Sequence, residues 1–478
     1  MYFCQKDTGP LIASLYPSIK LIDMKFIYNR ATIALSVTAA VLYMMCTSCI
    51  LAFWDDDHDN KTDSDSTEVK TFVDQMMKQF YYWADQMPTS VVKKGRSVEE
   101  YFNAYLVKKD RWSWMMNGDS YNSMETGVST SYGFHIAQPI EHFNDYDVYI
   151  TYVDKNSPLA KNGITRGCQL THINGTDVST LIKNNQFYPE IEKMSNKFTF
   201  KKPGGEVVDL NLSQTSFKSN SVTFTKTFTS AQMPSLKSSD KVGYILYTTF
   251  NSNMKNEVTS ALQQMKSEGI TDLILDLRYN GGGDLDVCSD IASLLAPAAA
   301  DGKVFITLSH NLANKKEDTD YKIKRTGNSL NLERLFVITG SGTASASESI
   351  INGLSPYMDV QTVGNTTYGK PNGMYVFLWP QKVSEKNAEY AFLPICFYCM
   401  NSEGKADYDN GISPKQKRYD DLYHDFSEKE DLIKACLTYI GTGSYPVLPE
   451  ASTTKAGIPA VGKKVSYGEG FVGAYVKK

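Results

Sequence analysis

Residues 334–373 read RLFVITGSGTASASESIINGLSPYMDVQTVGNTTYGKPNG, and the interpretation of the whole chain starts from them. The apolar run Leu335–Thr339 predicts a buried strand, which the small residues of Gly340–Gly342 interrupt. A helix is predicted to begin at about Ser347. This order places Ser345 on a sharp strand-to-helix turn, beside backbone N–H groups that have no partner within the helix. Ser345 is therefore a candidate nucleophile.

A lysine follows this serine by 25 residues, in the sequence YGKPNG. A serine hydroxyl needs a base to take its proton, and none of the six histidines has a motif around it. Lys370 is the candidate base, because its neighbours Gly369 and Pro371 favour a constrained turn in which desolvation can keep an amine neutral. Taken alone, these residues are more simply interpreted as an ordinary helix start and an ordinary loop lysine.

The composition is that of a globular protein, with 42% apolar residues, 21% charged residues and a net charge of −4. A chain of 478 residues is expected to form several domains. It has no basic stripe interleaved with aromatic residues, so a nucleic-acid partner is not expected. The eight cysteines are scattered, and Cys396 and Cys399 are interpreted as buried strand residues rather than a zinc or redox pair. No metal and no cofactor is expected.

Residues 1–54 are predicted to be a targeting segment. Basic residues precede the uncharged stretch 31–54, an order typical of a secretory signal. Cys49 resembles the acylated first residue of a bacterial lipoprotein, with Cys46 as the second choice. The alternative is an uncleaved membrane anchor, since 24 uncharged residues can span a bilayer. Both interpretations place the protein in the bacterial cell envelope, in the periplasm or on a membrane, after an acidic tether at residues 55–68.

Residues 69–126 are predicted to be a helical N-terminal domain. Apolar residues from Val69 to Trp83 follow helical spacing. A second helix is predicted to begin at Ser97, which forms a capping box with Glu100. The aromatic residues of this region are interpreted as core.

Residues 127–215 change to short strands and turns, with a strand at Val148–Val153 and a hairpin signal at Asn174–Gly175. The sequence VDKNSPLAKNGITRGCQLTHINGTDV resembles the second half of a PDZ domain. The loop Tyr132, Gly133, Phe134 and His135 is similar to the PDZ carboxylate-binding loop. This resemblance implies that a peptide adds as a strand while the loop holds its terminal carboxylate. The alternative is that the domain is only a spacer or a lid.

Residues 216–440 are predicted to form an α/β core. A strand, an amphipathic helix and another strand are predicted at Val242–Tyr247, Met254–Lys266 and Leu273–Leu277. This order indicates parallel strands with a crossover helix. Gly281–Gly283 follow the second strand, where ligand sites of such sheets lie. Residues 441–478 are interpreted as a C-terminal tail rich in Gly, Pro and Ser.

The whole pattern resembles the carboxyl-terminal processing proteases, also called tail-specific proteases. The segments that carry the resemblance lie between about residues 127 and 414: VGYILYTTF, ILDLRYNGGGDL, GSGTASASESI, VGNTTYGKPNG and GKADYDNGISP. The resemblance implies an α+β multidomain protein with a helical N-terminal region, a PDZ-like β-rich domain and an α/β ClpP/crotonase-like catalytic core.

The resemblance also implies roles for four residues. Ser345 and Lys370 have the separation of the family's nucleophile and base, and Ala346 and Gly283 match the donors of its oxyanion hole. The implied activity is that of a serine endopeptidase that cleaves protein or peptide tails with free C-termini, assisted by the PDZ-like domain. Its oligomeric state is left open.

Two positions depart from the family pattern. Many members have Gln or Glu four residues after the lysine, where this chain has Met374, and some have Asp where this chain has Pro356. Lys370 must then be oriented by other groups, such as backbone carbonyls or Tyr368.

Met374 keeps a rival function open, that of a catalytically inactive PDZ-containing envelope lipoprotein that binds peptides. A second rival is an esterase or amidase, because the same oxyanion chemistry suits any acyl transfer. Glu348 and Arg278 belong to the matched motifs and are interpreted as structural.

Overall fold

A computed structural model of the chain describes residues 63–137, 140–142, 145–381, 387–447 and 475–477, which belong to one compact unit. The predicted targeting segment, with Cys49 and Cys46, lies outside these residues. Within the part of the chain that is described, no helix has the length and apolar character needed to cross a membrane.

The described helices lie mainly in the N-terminal region and around the sheets. They are α1 Asp63–Phe80, α2 Val98–Asn103, α3 Gly118–Thr126, α4 Pro158–Lys161, α5 Val178–Lys183, α6 Phe187–Ile191, α7 Lys255–Glu268, α8 Leu285–Leu295, α9 Ala346–Leu354 and α10 Asp431–Thr442.

The strands of the first half of the chain build mostly the PDZ-like region. They are β1 Trp114–Asn117, β2 Val128–Ser131, β3 Phe134–Ile136, β4 Ile140–His142, β5 Asp145–Val153, β6 Gln169–Ile173, β7 Thr176–Asp177, β8 Ser195–Lys201, β9 Val207–Ser213, β10 Thr215–Lys218 and β11 Val222–Phe228. The later strands are β12 Val242–Tyr247, β13 Asp272–Asp276, β14 Val304–His310, β15 Thr319–Lys322, β16 Arg334–Thr339, β17 Asp359–Gly364, β18 Asn372–Trp379, β19 Tyr390–Leu393, β20 Ile395–Asn401, β21 Gln416–Lys417 and β22 Tyr475–Lys477.

The central sheet has the strand order β11-β12-β13-β16-β17-β21. Strands β12, β13, β16 and β17 run parallel, and helix α7 connects β12 to β13, which confirms the predicted crossover. All residues of β12 and β13 are buried, as expected for parallel strands covered on both faces. One face packs against α10 in an apolar cluster. The loops after β13 and β16 therefore leave the same edge of this sheet.

The second sheet has the order β1-β19-β18-β20-β14-β15, with β22 parallel to β18. Its inner face packs against α1 and α2, which buries the predicted aromatic core. The capping box of Ser97 and Glu100 is confirmed. Cys396 and Cys399 are buried on β20, as predicted. One boundary is wrong: Asp63–Glu68, assigned to the acidic tether, form the first turns of α1.

The PDZ-like region forms an antiparallel sheet with the order β3-β5-β6-β8-β9, in which β4 pairs with β5 and β7 pairs with β6. It has its own apolar core. Strand β2, which precedes it, pairs with β10, which follows it. The protein is thus an α+β multidomain protein, as predicted.

Candidate active site

Ser345 ends the turn between β16 and α9, and its side chain is 2% exposed. Its backbone has φ 57° and ψ −112°, a conformation that is strained for a residue with a Cβ atom. Among the described residues, no group hydrogen-bonds to Ser345 Oγ. No hydrogen bond from these residues therefore holds the Ser345 hydroxyl away from a substrate, as a candidate nucleophile requires.

Lys370 lies in the turn between β17 and β18 and is 1% exposed. Burial lowers the pKa of its amine from the ordinary value of 10.5 to about 7. Its Nζ donates a hydrogen bond to Asn372 Oδ1 at 3.1 Å. A fraction of this lysine is consequently neutral at neutral pH, as a general base requires.

The orientation of Lys370 differs from the expectation that backbone carbonyls or Tyr368 provide it. Asn372 takes this role through its side chain, two residues after the lysine. Met374 is completely buried in the apolar cluster under the second sheet and has no part in the polar site. Asn372 was not predicted, because the family pattern places the polar partner four residues after the lysine rather than two.

Glu348 joins the backbone of the serine to that of the lysine. Its Oε2 accepts hydrogen bonds from the N–H groups of Ser345 and Lys370, both at 2.8 Å. Its Oε1 accepts from the Gly369 N–H at 2.8 Å and from the Thr367 hydroxyl at 2.5 Å. Burial raises the pKa of this carboxyl group, and the four donors oppose the rise. Glu348 is structural, as predicted, but it also sets the relative position of the two candidate catalytic residues.

The glycine segment after β13 packs directly on the serine turn. A Cβ atom at Gly282 would lie 2.7 Å from the Ala344 carbonyl oxygen and 2.9 Å from Ser345 Cβ, so only glycine fits there. Gly283 bridges to Phe250 with a φ of 140°. The Ala346 N–H starts helix α9 and has no partner within the helix. In the described chain neither the Gly283 N–H nor the Ala346 N–H donates a hydrogen bond.

Asn280 fixes the start of this glycine segment. Its Nδ2 donates to the Tyr247 carbonyl at 3.0 Å, and its Oδ1 accepts from the Gly282 N–H at 2.8 Å. Its own carbonyl accepts from the Ala344 N–H and the Ser347 hydroxyl. The glycine segment and the serine turn are therefore held together through one residue.

A buried charge network lies behind the same loop. Arg278 donates to Asp276, to Asp420 Oδ1 at 2.7 Å and to Glu430 Oε1 at 2.6 Å. Arg166, from the PDZ-like region, donates to the same Asp420 oxygen at 2.6 Å. Arg278 thus braces the loop, in agreement with its structural interpretation.

The four residues predicted to bind a peptide carboxylate lie at the start of strand β3 and just before it, in the PDZ-like region, which has its own sheet and apolar core. The side chains of Tyr132, Phe134 and His135 are buried, and His135 Nε2 lies 3.2 Å from Asp154 Oδ2. The Gly133 N–H donates to Ser131 Oγ at 3.1 Å. These side chains are therefore core groups, and strand β3, the outermost strand of its sheet, is also buried.

Fold and site together define a class: an α/β protein with a serine on a strand-to-helix turn beside a buried, partly neutral lysine. Comparison with known proteins agrees, because residues 241–387 match Peptidase family S41 and residues 68–114 match the Peptidase S41 N-terminal domain. The match covers part of the core and part of the N-terminal region, and it shows that these parts are similar to S41 peptidases.

Similar proteins include a carboxyl-terminal-processing protease of Synechocystis, 33% identical over 29% of this chain and 31% of the relative. A CtpA-like serine protease of Staphylococcus aureus is 25% identical over 55% of this chain and 49% of the relative. The aligned region therefore spans half or less of these relatives. A solved structure described as an S41 protease from Bacteroides fragilis is 23% identical, with a TM-score of 0.63 over 78% of this chain and 97% of that one. This likeness shows the fold.

Proposed function

We propose that this protein is a serine endopeptidase that cleaves protein or peptide tails with a Ser345–Lys370 dyad. One observation carries the proposal: Lys370, whose buried amine has a pKa of about 7, and Ser345 donate their backbone N–H groups to the same oxygen of Glu348. A desolvated lysine of this kind is an established alternative to histidine as the base of a serine nucleophile.

In the proposed reaction, Ser345 Oγ attacks the scissile carbonyl while Lys370 Nζ takes its proton. The Gly283 and Ala346 N–H groups donate to the oxyanion of the tetrahedral intermediate. The protonated lysine then gives its proton to the leaving amine, and water releases the acyl group in a second round. In the free protein Lys370 Nζ contacts Asn372 rather than Ser345 Oγ, and such catalytic contacts often form only when substrate binds.

The pH dependence of acylation tests this mechanism. A fluorophosphonate probe should label Ser345 at a rate that rises with pH around a midpoint near pH 7, because only the neutral form of Lys370 accepts the proton. Quenching the reaction at a series of times gives the rate of labelling, and peptide mapping gives the labelled site. Labelling elsewhere, or a rate at Ser345 that is independent of pH between about pH 5.5 and pH 9, would contradict the dyad.

The PDZ-like region is proposed to receive the free C-terminus of the substrate. Strand β3 is the outermost strand of its sheet, so an extended peptide can add to it and place a carboxylate near the Tyr132–Gly133 turn. Strand β3 and the loop before it are buried in the free protein, so the peptide must displace the groups that cover them, including Ser131, which accepts the Gly133 N–H.

Substrates that differ only at their ends test this recognition. A peptide with an amidated C-terminus should show a KM at least about tenfold above that of the free acid, because it loses charge-assisted hydrogen bonds of about 1.5–3 kcal/mol. The kcat should change little, since the scissile bond is the same. Equal KM values for the two peptides would argue that the region is a spacer or a lid.

A further inference from the structure

The turn that carries Lys370 is held from two sides. Glu348 accepts its N–H groups on one side, as described above. On the other side Arg111, from the N-terminal region, donates through Nη2 to the carbonyls of Gly369 at 2.9 Å and Tyr368 at 3.2 Å. The same nitrogen donates to the Asp409 carbonyl at 2.8 Å. Arg111 therefore ties the lysine turn to the segment around Asp409.

Aromatic contacts fix the guanidinium in place. It lies 4.8 Å from the ring centre of Trp112 and 4.7 Å from that of Tyr368, distances typical of cation–π contacts. Trp112 Nε1 adds a hydrogen bond to the Gly369 carbonyl at 3.2 Å. The carbonyl of the residue before Lys370 thus accepts from two side chains of the N-terminal region.

The short segment that carries Arg111 and Trp112 is itself anchored. Asp110 Oδ1 accepts from the N–H groups of Trp112 and Ser113, both at 2.9 Å, and its Oδ2 accepts from the Tyr81 hydroxyl at 2.8 Å. The Ser113 hydroxyl accepts the Ile395 N–H of β20 at 2.8 Å. The segment that carries Arg111 and Trp112 is therefore fixed to the second sheet.

The backbone of the turn that carries Lys370 has little room to rearrange if its contacts with Arg111 and Trp112 are lost. Gly369 has a φ of 88°, and a Cβ there would lie 2.4 Å from the Asp409 carbonyl oxygen. The backbone of the turn and that of the Asp409 segment are thus in direct contact, and Arg111 is the cation that bridges their carbonyls.

We propose that Arg111, supported by Trp112, is a positioning residue for Lys370, so that the N-terminal region completes the active site of the core. This inference depends on the proposed function, because Arg111 can position a catalytic base only if Lys370 is that base. Residues 258 positions apart in the sequence meet here, which gives the N-terminal region a task beyond packing.

Arg111 also acts on the lysine through its charge. Burial is the main cause of the low pKa of Lys370; Asp110, Cys399 and Glu348 oppose it, and the Arg111 cation adds to it. Removal of the Arg111 charge should therefore raise the pKa of Lys370. Since Arg111 is exposed, solvent screens this effect and keeps it small.

The test compares Arg111→Met and Arg111→Lys with the matched control Lys108→Met, which removes an exposed cation three residues away. For Arg111→Met we expect kcat to fall about tenfold with little change in KM, because the base is displaced while substrate binding remains. The midpoint of Ser345 acylation should move to higher pH by on the order of half a unit. Arg111→Lys should keep the wild-type midpoint and recover part of kcat, and Lys108→Met should match wild type in both.

The outcomes separate this inference from the function on which it depends. Wild-type protein that never reacts at Ser345 would overturn the proposed function and this inference with it. Wild-type protein that reacts normally, with Arg111→Met unchanged in kcat and in midpoint, would overturn the role of Arg111 alone. Circular dichroism at the assay temperature confirms that each variant is folded.

Discussion

Replacement of Lys370 by methionine is expected to abolish cleavage while making the protein more stable. Methionine keeps the length and volume of the side chain but cannot take a proton, so kcat should fall by at least about a thousandfold. Ser345→Ala should have an equally large effect, and the double variant should be no worse than either single one, because the two residues act as a unit. Peptide cleavage measured by mass spectrometry checks both.

The stability of this variant separates lost chemistry from lost folding. The pKa of Lys370 is about 7 in the folded protein and near 10.5 when exposed, so folding releases a proton between these values. Stability of the wild type should rise with pH across this window, and the full cost of the buried amine applies below it. At about pH 6 the free energy of unfolding of Lys370→Met should exceed that of the wild type by on the order of a few kcal/mol.

Lys322→Met is the matched control, because it makes the same chemical change at an exposed position. It should leave cleavage and stability close to those of the wild type. Cleavage by Lys370→Met at the wild-type rate would exclude this lysine as the base. A loss of activity together with a loss of stability would point to damage of the fold instead.

Glu348→Gln is expected to have the second-largest effect, on both stability and activity. The two carboxylate oxygens accept from four donors, whereas an amide offers one accepting oxygen and an NH2 group that can only donate. In the more favourable orientation the amide oxygen replaces Oε2 and the NH2 group replaces Oε1. The Thr367 hydroxyl can then accept from the NH2 group instead of donating, but the Gly369 N–H is left without an acceptor. The expected loss is about 1–3 kcal/mol of stability and about ten- to a hundredfold in kcat, since the turn that carries Lys370 loses its hydrogen bond at Gly369 and can shift relative to Ser345.

Urea unfolding and probe labelling at Ser345 measure these two losses. Glu333→Gln, at an exposed position, provides the control and should behave as wild type. A Glu348→Gln protein with unchanged labelling kinetics would show that the shared carboxylate has no part in the alignment of the dyad.

The strands and helices of the core could be predicted from the sequence because each is specified by residues within a short stretch of the chain. The strand before the serine was predicted one residue short, the helix after it one residue late, and strand β12 has the predicted bounds. Apolar runs and glycines set these features within a few residues. The parallel arrangement followed from the strand–helix–strand order.

The surroundings of the candidate site could not be predicted in the same way. Asn372 is the first residue of strand β18, and no periodic pattern marks it as the partner of Lys370. Arg111 reaches the lysine turn through tertiary packing across most of the chain. The start of α1 was also missed, because the acidic residues of Asp63–Glu68 resemble a solvated tether although they suit the first turns of a helix.

The ion pair between the buried Arg166 and the partly exposed Asp420 limits which regions of the protein can be separated or recombined. Although burial opposes it, the Arg166 and Arg278 guanidiniums hold the pKa of Asp420 at about 2. A core without its PDZ-like region, or with one grafted from a protein that lacks this arginine, would keep a buried carboxylate cluster with one cation fewer, an arrangement that is strongly destabilising. We therefore expect a chimera to be stable only if its PDZ-like region supplies an arginine at the position of Arg166.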